Sequence, residues 1–255
     1  MFTPKKELGQ NFLIDSTISQ RMVSALKLTP DETVIEIGPG LGALTKFLVE
    51  QLTGPDSLLY AIEIDVRYVE RLRTDFLKYL NANVVQANVL DWLPEFTTDK
   101  PFKIIGSLPY YITSPIIHAA IKMQRQPETC VFMIQKEVAQ KIANKAPDAT
   151  YMSSFVQSFY NVEYLFTVDR KKFSPVPNVD GGVIRLTKKT DEYISELLLQ
   201  IDKYEGFLHR CYASPRKMLN KVFKKDELAK ISIDGSLRPQ NIDAEKWVEV
   251  FRVVS

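Results

Sequence analysis

The feature that most constrains the fold of this chain is a regular alternation of short β-rich runs with helical spans, which starts at Thr33. The β-rich runs are mostly apolar and have the length of buried strands: TVIEI (33–37), SLLYAIEI (57–64), NVVQA (83–87), FKIIGSL (102–108) and TCVFMIQ (129–135). The segments between them carry apolar residues at helical spacing: LGALTKFLVEQL (41–52), RYVERLRTDFLKYL (67–80) and SPIIHAAIKMQ (114–124). This alternation predicts a largely parallel sheet covered by helices on both faces.

The pattern changes twice farther along the chain. Two more β-rich runs, EYLFTV (163–168) and GGVIRLTK (181–188), have no helical pattern between them and predict an antiparallel pair that closes one edge of the sheet. From about residue 190 the segments are helical: DEYISELLLQI, EGFLHRCYA, RKMLNKVFKK and AEKWVEVFRVV. We therefore predict an α/β fold with two domains, a sheet domain in residues 1–189 and a small helical domain in residues 190–255.

Composition argues against several classes of protein. The 255 residues are 45% hydrophobic and 25% charged, which is ordinary for a globular protein. The chain begins with the basic segment FTPKKELGQNF rather than a signal peptide, and no run reaches the roughly 18 apolar residues needed to span a membrane. Cys130 and Cys211 lie in unrelated contexts and the two histidines add no ligand spacing, so we expect neither a disulfide framework nor a metal site. These features predict a cytoplasmic protein.

The net charge of +2 conceals clusters of basic residues. They lie near the start of the chain, before the last β-rich run and in the helical domain: Lys5 and Lys6; Arg170, Lys171 and Lys172; Arg216, Lys217, Lys221, Lys224 and Lys225. Basic clusters can bind phosphate backbones, but most charge runs are only solvated surface. The charge pattern alone leaves both interpretations open.

A glycine-rich loop follows the first predicted strand, in the segment EIGPGLGALT (36–45). Glycines at 38, 40 and 42 allow a sharp turn and a close approach of the backbone to a ligand. Glu63 ends the second predicted strand, 23 residues after Gly40. In a doubly wound sheet such a carboxylate faces the loop and can accept both hydroxyls of a ribose. The alternative interpretation is an ordinary solvated acid at a strand end.

Two cofactors that contain an adenosine ribose fit this arrangement, NAD and S-adenosylmethionine. A dinucleotide needs a seat for its pyrophosphate, usually in a G-x-G-x-x-G loop, whereas this loop reads G-x-G-x-G. Glu36 lies two residues before Gly38. Its carboxylate would repel a pyrophosphate but not the amino group or the sulfonium of S-adenosylmethionine. The sequence therefore favours S-adenosylmethionine.

Seven motifs occur in order across nearly the whole chain: KKELGQNFL, VIEIGPGLGALT, AIEID, GSLPYYITSP, MIQKEVAQKI, FSPVPNVDGGVIRL and RKMLNKVF. Together they resemble the ribosomal RNA adenine N6,N6-dimethyltransferases of the KsgA type, which modify two adjacent adenosines near the 3′ end of small-subunit rRNA. The erythromycin-resistance methyltransferases of large-subunit rRNA share most of these motifs. The C-terminal segment RPQNIDAEKWVEVF looks more like the small-subunit branch.

The resemblance implies a Rossmann-like, S-adenosylmethionine-dependent methyltransferase sheet and a helical domain that helps to grip rRNA. It implies cofactor contacts at Asn11, Leu13, Gly38, Gly40, Glu63, Asn88 and Ser107. At Asn88 the family usually has an Asp, which receives the amino group of the cofactor adenine, and Asp91 follows three residues later. An Asn oxygen can accept the same bond, but a neutral bond is weaker, so we expect lower cofactor affinity.

The segment IIGSLPYYITSP (104–115) resembles the catalytic motif of the family. There, an Asn oxygen and a Leu carbonyl accept the N6 hydrogens of the target adenine, which aims the nitrogen lone pair at the methyl group. Ser107 replaces that Asn, and Leu108 keeps the carbonyl. Pro109 fixes the turn and Tyr110 can stack on the extruded base.

Phe173 matches the family aromatic residue that covers the other face of the base, although packing beneath a Pro-rich turn would also explain it. The Ser107 hydroxyl is a shorter acceptor than Asn, so we expect activity at a reduced rate. Methyl transfer from a sulfonium is downhill and depends mainly on positioning. Neither Glu36 nor Asp91 is therefore expected to act as a catalytic base.

Three functional hypotheses follow. The main one is dimethylation of small-subunit rRNA in a pre-30S particle by a monomer. The second is a large-subunit rRNA methyltransferase that confers macrolide resistance, which differs in the rRNA that accepts the methyl groups. The third is an RNA-binding assembly factor that has lost catalysis, which the departures at Asn88 and Ser107 keep open and which loss of cofactor binding would favour.

Overall fold

A computed structural model describes residues 10–254 of the chain. Lys5 and Lys6, the first basic cluster, lie outside this range. The chain divides into two compact units. The first contains the described residues up to Ala139 together with Glu163–Thr187, and the second contains Gln140–Val162 together with the described residues from Lys188 onward.

The strands form two sheets. Their bounds are β1 Phe12–Leu13, β2 Thr33–Ile37, β3 Leu58–Glu63, β4 Ala82–Gln86, β5 Phe102–Ser107, β6 Thr129–Gln135, β7 Tyr160–Val168, β8 Phe173–Ser174 and β9 Gly181–Lys188. The larger sheet has the order β4-β3-β2-β5-β6-β9-β7. Its first five strands in this order are parallel, and β9 runs antiparallel to β6. This arrangement confirms the predicted α/β fold, including the two late strands at one edge of the sheet.

The helices alternate with these strands in the first half of the chain. Their bounds are α1 Ser16–Ala25, α2 Thr45–Gln51, α3 Val66–Asp75, α4 Val89–Glu95, α5 Thr113–Lys122, α6 Lys136–Ala143, α7 Tyr151–Phe159, α8 Tyr193–Leu199, α9 Ile201–Tyr212, α10 Lys225–Lys230 and α11 Ala244–Val254. Short 3-10 turns occupy Tyr110–Ile112, Arg170–Lys172, Leu219–Lys221 and Pro239–Asn241. Within residues 10–254, every helix is too short or too polar to cross a bilayer.

The strand register brings three chain segments together at the carboxyl ends of the strands. Ile37 at the end of β2 lies opposite Ile62 of β3 and Gly106 of β5. A Cβ atom at Gly106 would lie 2.8 Å from the Ile37 carbonyl oxygen, so this approach of β5 to β2 requires glycine. Because parallel strands share a direction, the segments that follow β2, β3 and β5 emerge side by side.

The two-stranded sheet was not predicted. β1 pairs antiparallel with β8, with Leu13 opposite Phe173 and Phe12 opposite Ser174. The backbone N–H of Ile14 extends the pairing by donating to the Lys172 carbonyl oxygen at 2.9 Å. This sheet joins the N-terminal GQNFL motif to the segment that carries Phe173.

The second unit takes in a segment that the sequence analysis placed in the sheet domain. α7 packs against α9 and α11, and most of its residues are buried, including the polar Ser158, whose hydroxyl lies 2.6 Å from the Tyr204 hydroxyl. A helix buried on this many sides needs neighbours on each of them. Residues 140–162 therefore cluster with the C-terminal helices. The chain passes from the first unit to the second again at Thr187–Lys188, two residues before the predicted boundary after residue 189.

One predicted helix is wrong. Within RKMLNKVFKK (216–225) the structure has the 3-10 turn Leu219–Lys221, and α10 begins only at the last residue, Lys225. The backbone N–H groups of Leu219 and Asn220 donate to the carbonyl oxygens of Leu237 and Gly235, at 2.8 and 2.9 Å, instead of to the preceding turn. Long-range backbone pairing thus replaces the helical bonds that the apolar spacing predicted.

Candidate functional site

A cavity of about 280 Å³ opens at the carboxyl ends of β2, β3 and β5 in the first unit. It brings together all the residues that the sequence analysis assigned to cofactor binding and catalysis. Those that line it are Asn11, Leu13, Gly38, Gly40, Glu63, Asn88, Ser107, Leu108, Pro109, Tyr110 and Phe173. The structure thus places in one cavity residues that are spread over more than half of the sequence.

The glycine loop has the backbone conformation that its sequence predicted. Gly38 and Gly40 have φ angles of 64° and 55°, in the left-handed region that favours glycine. A Cβ atom on Gly40 would also lie 3.0 Å from the Phe12 ring. The loop is held to the neighbouring strand because the Gly38 N–H donates to the Ile62 carbonyl oxygen at 3.0 Å.

Glu63 lies buried at the end of β3 and is oriented by backbone donors. The Gly40 N–H donates to Oε2 at 3.1 Å, and the Asp65 N–H donates to Oε1 at 2.9 Å. Burial raises the pKa of this carboxyl group, and these backbone bonds oppose the rise. Each carboxylate oxygen has a second lone pair, so the group can accept further hydrogen bonds from a ligand in the cavity.

Glu36 is a second buried acid in the cavity lining, with 1% of its surface exposed. The Thr45 hydroxyl donates to Oε2 at 2.7 Å, and Oε1 has no hydrogen-bond partner within residues 10–254. Burial raises the pKa of Glu36 to about 8, and the charge of Glu63 adds to the rise. Burial therefore favours the neutral form of Glu36, so the repulsion of an anion argued from the sequence applies only once the group ionises.

Asn88 caps the N-terminus of α4 and lines the cavity with its neighbours in the chain. Its Oδ1 accepts from the Leu90 N–H at 3.1 Å, and its Nδ2 donates to Asp91 Oδ2 at 2.9 Å. Asp91 itself is exposed. The side chain at this position is thus held by two neighbours of opposite hydrogen-bonding character.

The Ser107–Tyr110 segment continues from β5 over the cavity. Leu108 is tied to the neighbouring strand because its N–H donates to the Met133 carbonyl oxygen at 2.9 Å. The Pro109 carbonyl oxygen accepts from the Ile112 N–H and the Thr113 hydroxyl, both at 3.2 Å, which turns the chain into α5. Tyr110 is partly buried, and that burial raises its pKa. The turn therefore presents Ser107 and Tyr110 to the same space.

Phe173 has two roles in the packing. Only 3% of its surface is exposed, and it belongs to the hydrophobic core of the first unit, where it pairs with Leu13 across the small sheet. It also lines the cavity. Core packing and a cavity wall are therefore compatible at this position, and the two interpretations of Phe173 in the sequence do not exclude each other.

Several lining residues were missed by the sequence analysis. Leu41, Ile64 and Tyr111 are apolar or aromatic, line the cavity and are 40%, 50% and 59% exposed. Their positions in the sequence could have identified them: Leu41 follows a loop glycine, Ile64 follows the strand-end acid Glu63, and Tyr111 follows the Pro-Tyr turn. Gln10, also missed, lines the cavity and donates to Asp65 Oδ2 at 3.1 Å, which links the N-terminal motif to the end of β3.

The basic clusters differ in their surroundings. Lys172 forms an ion pair with Asp15 at 2.7 Å, and Arg170 donates to the Asn178 carbonyl oxygen at 3.2 Å. In the second unit, Arg216 and Lys217 are exposed. The 170–172 cluster thus has contacts within the fold, whereas Arg216 and Lys217 of the C-terminal cluster are exposed.

Comparison with known proteins identifies a family and a fold. A family model described as "Ribosomal RNA adenine dimethylase" matches residues 1–255. Ribosomal RNA small subunit methyltransferase A from Sulfurihydrogenibium sp. (strain YO3AOP1) is 36% identical over 256 residues, covering 98% of this chain and 96% of that protein. The 23S rRNA methyltransferase ErmE superposes with a TM-score of 0.75 and 25% identity, covering 96% of this chain and 99% of that one. A dimethyladenosine transferase from Plasmodium falciparum gives a TM-score of 0.78 and 22% identity, covering 94% and 95%.

Proposed function

We propose that S-adenosylmethionine binds in the cavity of the first unit, because the chain belongs to the ribosomal RNA adenine dimethylase family and is an rRNA adenine dimethyltransferase of the small-subunit type. We further propose that the methyl groups are transferred to N6 of two adjacent adenosines near the 3′ end of small-subunit rRNA. The observation that supports this best is the convergence of Glu36, Glu63 and Ser107 on one cavity.

The polar groups of the cavity fit the proposed cofactor. Glu63 retains acceptor capacity for two ribose hydroxyls, and its orientation is already set by the backbone of Gly40 and Asp65. The unpartnered Oε1 of buried Glu36 suits a cationic group, which would compensate its desolvation. Ile64 and Leu41 offer apolar surface beside these acids. A cationic adenosine ligand therefore satisfies both the polar and the apolar parts of this lining.

S-adenosylmethionine supplies an electrophilic methyl group on its sulfonium. The N6 lone pair of adenine is delocalised into the ring, so the protein has to accept the N6 hydrogens to free it. In our proposal the Ser107 hydroxyl and the Leu108 carbonyl oxygen are these acceptors. Tyr110 and Phe173 hold the extruded base by stacking, worth about 1–3 kcal/mol per base.

The positive charge is balanced without a dedicated base. The first transfer would leave the cofactor sulfur as a neutral thioether and would leave N6 with the new methyl group, its two hydrogens and the positive charge, and one of these two protons would then be lost to water. The second transfer would act on the monomethylated nitrogen, which has one hydrogen left for these acceptors. The chain contributes mainly by holding the nitrogen and the methyl group in line.

We infer that the natural substrate is a pre-30S particle in the cytoplasm and that the enzyme acts as a monomer. The exposed cations of the second unit, including Arg216 and Lys217, would contact rRNA phosphates. The relative that is 36% identical over 98% of this chain is named a small-subunit methyltransferase, and this supports small-subunit rRNA as the substrate.

The experiment is a transfer assay with labelled S-adenosylmethionine, using purified small and large ribosomal subunits from cells that lack the modification. Label in small-subunit rRNA alone is the expected result. Label in large-subunit rRNA would instead support the macrolide-resistance hypothesis. Binding to small subunits without label in either rRNA would support an assembly factor that has lost catalysis.

A further inference from the structure

We propose that Asp91 is a positioning residue that fixes the orientation of the Asn88 amide, and that it thereby makes the cofactor site select a 6-amino purine over a 6-oxo purine. The proposal deepens the function proposed above, since it rests on binding of an adenosine cofactor in the cavity of the first unit. It concerns Asn88, where the family usually has a carboxylate, and the neighbouring carboxylate of Asp91.

An asparagine amide is ambiguous in a way that a carboxylate is not. One end accepts hydrogen bonds and the other donates them, and a rotation of 180° about the last side-chain bond exchanges the two ends with almost no change of shape. An unrestrained Asn88 could therefore offer its oxygen to an amino group or its NH₂ to a carbonyl. It would not distinguish adenine from hypoxanthine.

The neighbours of Asn88 remove this ambiguity. The Leu90 N–H lies 3.1 Å from Oδ1 and can only donate, so it pairs only with the oxygen end of the amide. The Asp91 carboxylate, 2.9 Å from Nδ2, can only accept when ionised, so it takes the NH₂ end. In the flipped amide both contacts become repulsive, with oxygen facing carboxylate and NH₂ facing N–H.

The oriented amide leaves one acceptor position for a ligand. Oδ1 has two lone pairs and uses one for Leu90. The bond from Nδ2 to a charged acceptor is charge-assisted, and it polarises the amide so that its oxygen becomes a better acceptor. In the proposed complex that oxygen receives the amino group of the cofactor adenine, while a 6-oxo purine meets an acceptor facing an acceptor.

A structural interpretation of Asp91 has to be separated from this one. An acid in the first turn of a helix is favourable for helix stability by itself, whatever Asn88 does. That contribution would alter the melting temperature equally for every ligand. It would not alter the ratio of affinities for two ligands that differ only at the 6-position.

The experiment measures that ratio by isothermal titration calorimetry on the full chain. The two ligands are S-adenosylhomocysteine and its 6-oxo analogue S-inosylhomocysteine. The test variant is Asp91→Asn, an isostere that can pair with either end of the Asn88 amide. The matched control is Glu95→Gln, which removes one exposed negative charge from the other end of the same helix.

We expect wild type and Glu95→Gln to bind S-adenosylhomocysteine much more tightly than S-inosylhomocysteine. In Asp91→Asn the ratio of the two affinities should fall by about tenfold, because the charge-assisted bond to Asp91 is lost while the bond from Leu90 remains. The double variant Asn88→Asp/Asp91→Asn should restore the preference, since a carboxylate at 88 has no donor to offer. Asp91→Ala is the second variant if Asp91→Asn folds poorly, since it removes the acceptor of the Asn88 Nδ2 hydrogen bond and should narrow the preference as well.

An unchanged ratio in Asp91→Asn at a native melting temperature would overturn the proposal while leaving the proposed function intact. Failure of the double variant to restore the preference would also overturn it. Failure of wild type to bind S-adenosylhomocysteine at all would overturn the proposed function itself, so the two failures are distinguishable.

Discussion

The Glu63 carboxylate accepts a hydrogen bond from the Gly40 backbone N–H, at 3.1 Å and across 23 residues of sequence. This contact joins the glycine loop after β2 to the strand-end acid after β3. The left-handed Gly40 turns its N–H toward the carboxylate, and this bond fixes the orientation of Glu63 in which it would meet a ribose in the proposed complex.

Replacing Glu63 by Gln should raise the Kd for S-adenosylmethionine by about tenfold or more, because hydrogen bonds to an ionised acceptor are replaced by weaker neutral ones. The melting temperature of the free protein is measured alongside, because the Gln amide can accept from only one of the Gly40 and Asp65 N–H groups, although the variant also removes a buried charge. Calorimetric titration measures the affinity. Glu70→Gln, at an exposed position on α3, is the control and should bind normally. Normal cofactor affinity in Glu63→Gln would contradict the ribose contact.

Glu36 should make the empty protein less stable as the pH rises. Its pKa is raised from 4.5 in the unfolded chain to about 8 in the folded one. Between these values the folded state binds more protons than the unfolded state, so the free energy of unfolding falls with rising pH. Stability from this group is complete below the lower value and is lost through the upper one.

The measurement is the difference in unfolding free energy between wild type and Glu36→Gln, from chemical denaturation at intervals from about pH 5 to about pH 9. The difference should change across this range in the direction that disfavours wild type at high pH. A flat difference profile would mean that the buried carboxyl group titrates normally.

Ser107→Ala should reduce kcat by about tenfold at saturating cofactor, because one acceptor for the N6 hydrogens is lost and the Leu108 carbonyl oxygen remains. Ser107→Asn should restore the rate or exceed it, since the amide oxygen reaches farther into the cavity. Single-turnover methylation of small subunits measures the step. Ser16→Ala, at an exposed serine on α1, is the control. A wild-type rate in Ser107→Ala would exclude the hydroxyl as an acceptor.

Phe173→Leu should lower kcat/KM for small subunits by about tenfold, within the range expected when one stacking contact is lost. Leucine keeps most of the buried apolar volume, which limits the loss of stability. Phe166→Leu is a matched control, because Phe166 packs against the same core cluster but is not part of the cavity lining. Equal effects of the two variants would show that Phe173 acts only through packing.

The pair Arg216→Ala/Lys217→Ala should raise KM for small subunits and flatten its dependence on salt, because each phosphate contact contributes to counterion release. The affinity for S-adenosylmethionine should be unchanged. Lys78→Ala/Lys230→Ala removes the same charge at exposed positions outside the predicted cluster and serves as the control. The same salt dependence in both pairs would argue against a specific rRNA contact in the second unit.

Much of the first unit could be predicted from sequence because its signals are local. The five parallel strands are mostly apolar runs, and the glycines and Glu63 stand where such strands end. Their meeting at the carboxyl ends of the strands therefore follows from the topology. TCVFMIQ and GGVIRLTK coincide with β6 and β9. These elements are long enough for periodicity and burial to identify them.

The remaining features depend on long-range pairing. Two-residue strands such as Phe12–Leu13 and Phe173–Ser174 are too short to show periodicity, so their pairing was invisible. The helical spacing in 216–225 was overridden by backbone bonds to the 235–237 segment. The orientation of the Asn88 amide, finally, is set by Leu90 and Asp91 and has no counterpart in the residue type alone.

Mass spectrometry of the 3′-terminal rRNA fragment shows whether this protein dimethylates small-subunit rRNA. Small subunits lacking the modification are incubated with S-adenosylmethionine and either wild type or Glu63→Gln. We predict dimethyladenosine at two adjacent positions with wild type, and much less at the same enzyme concentration with the variant. If wild type binds the subunits but the fragment remains unmodified, the protein is not a dimethyltransferase of small-subunit rRNA.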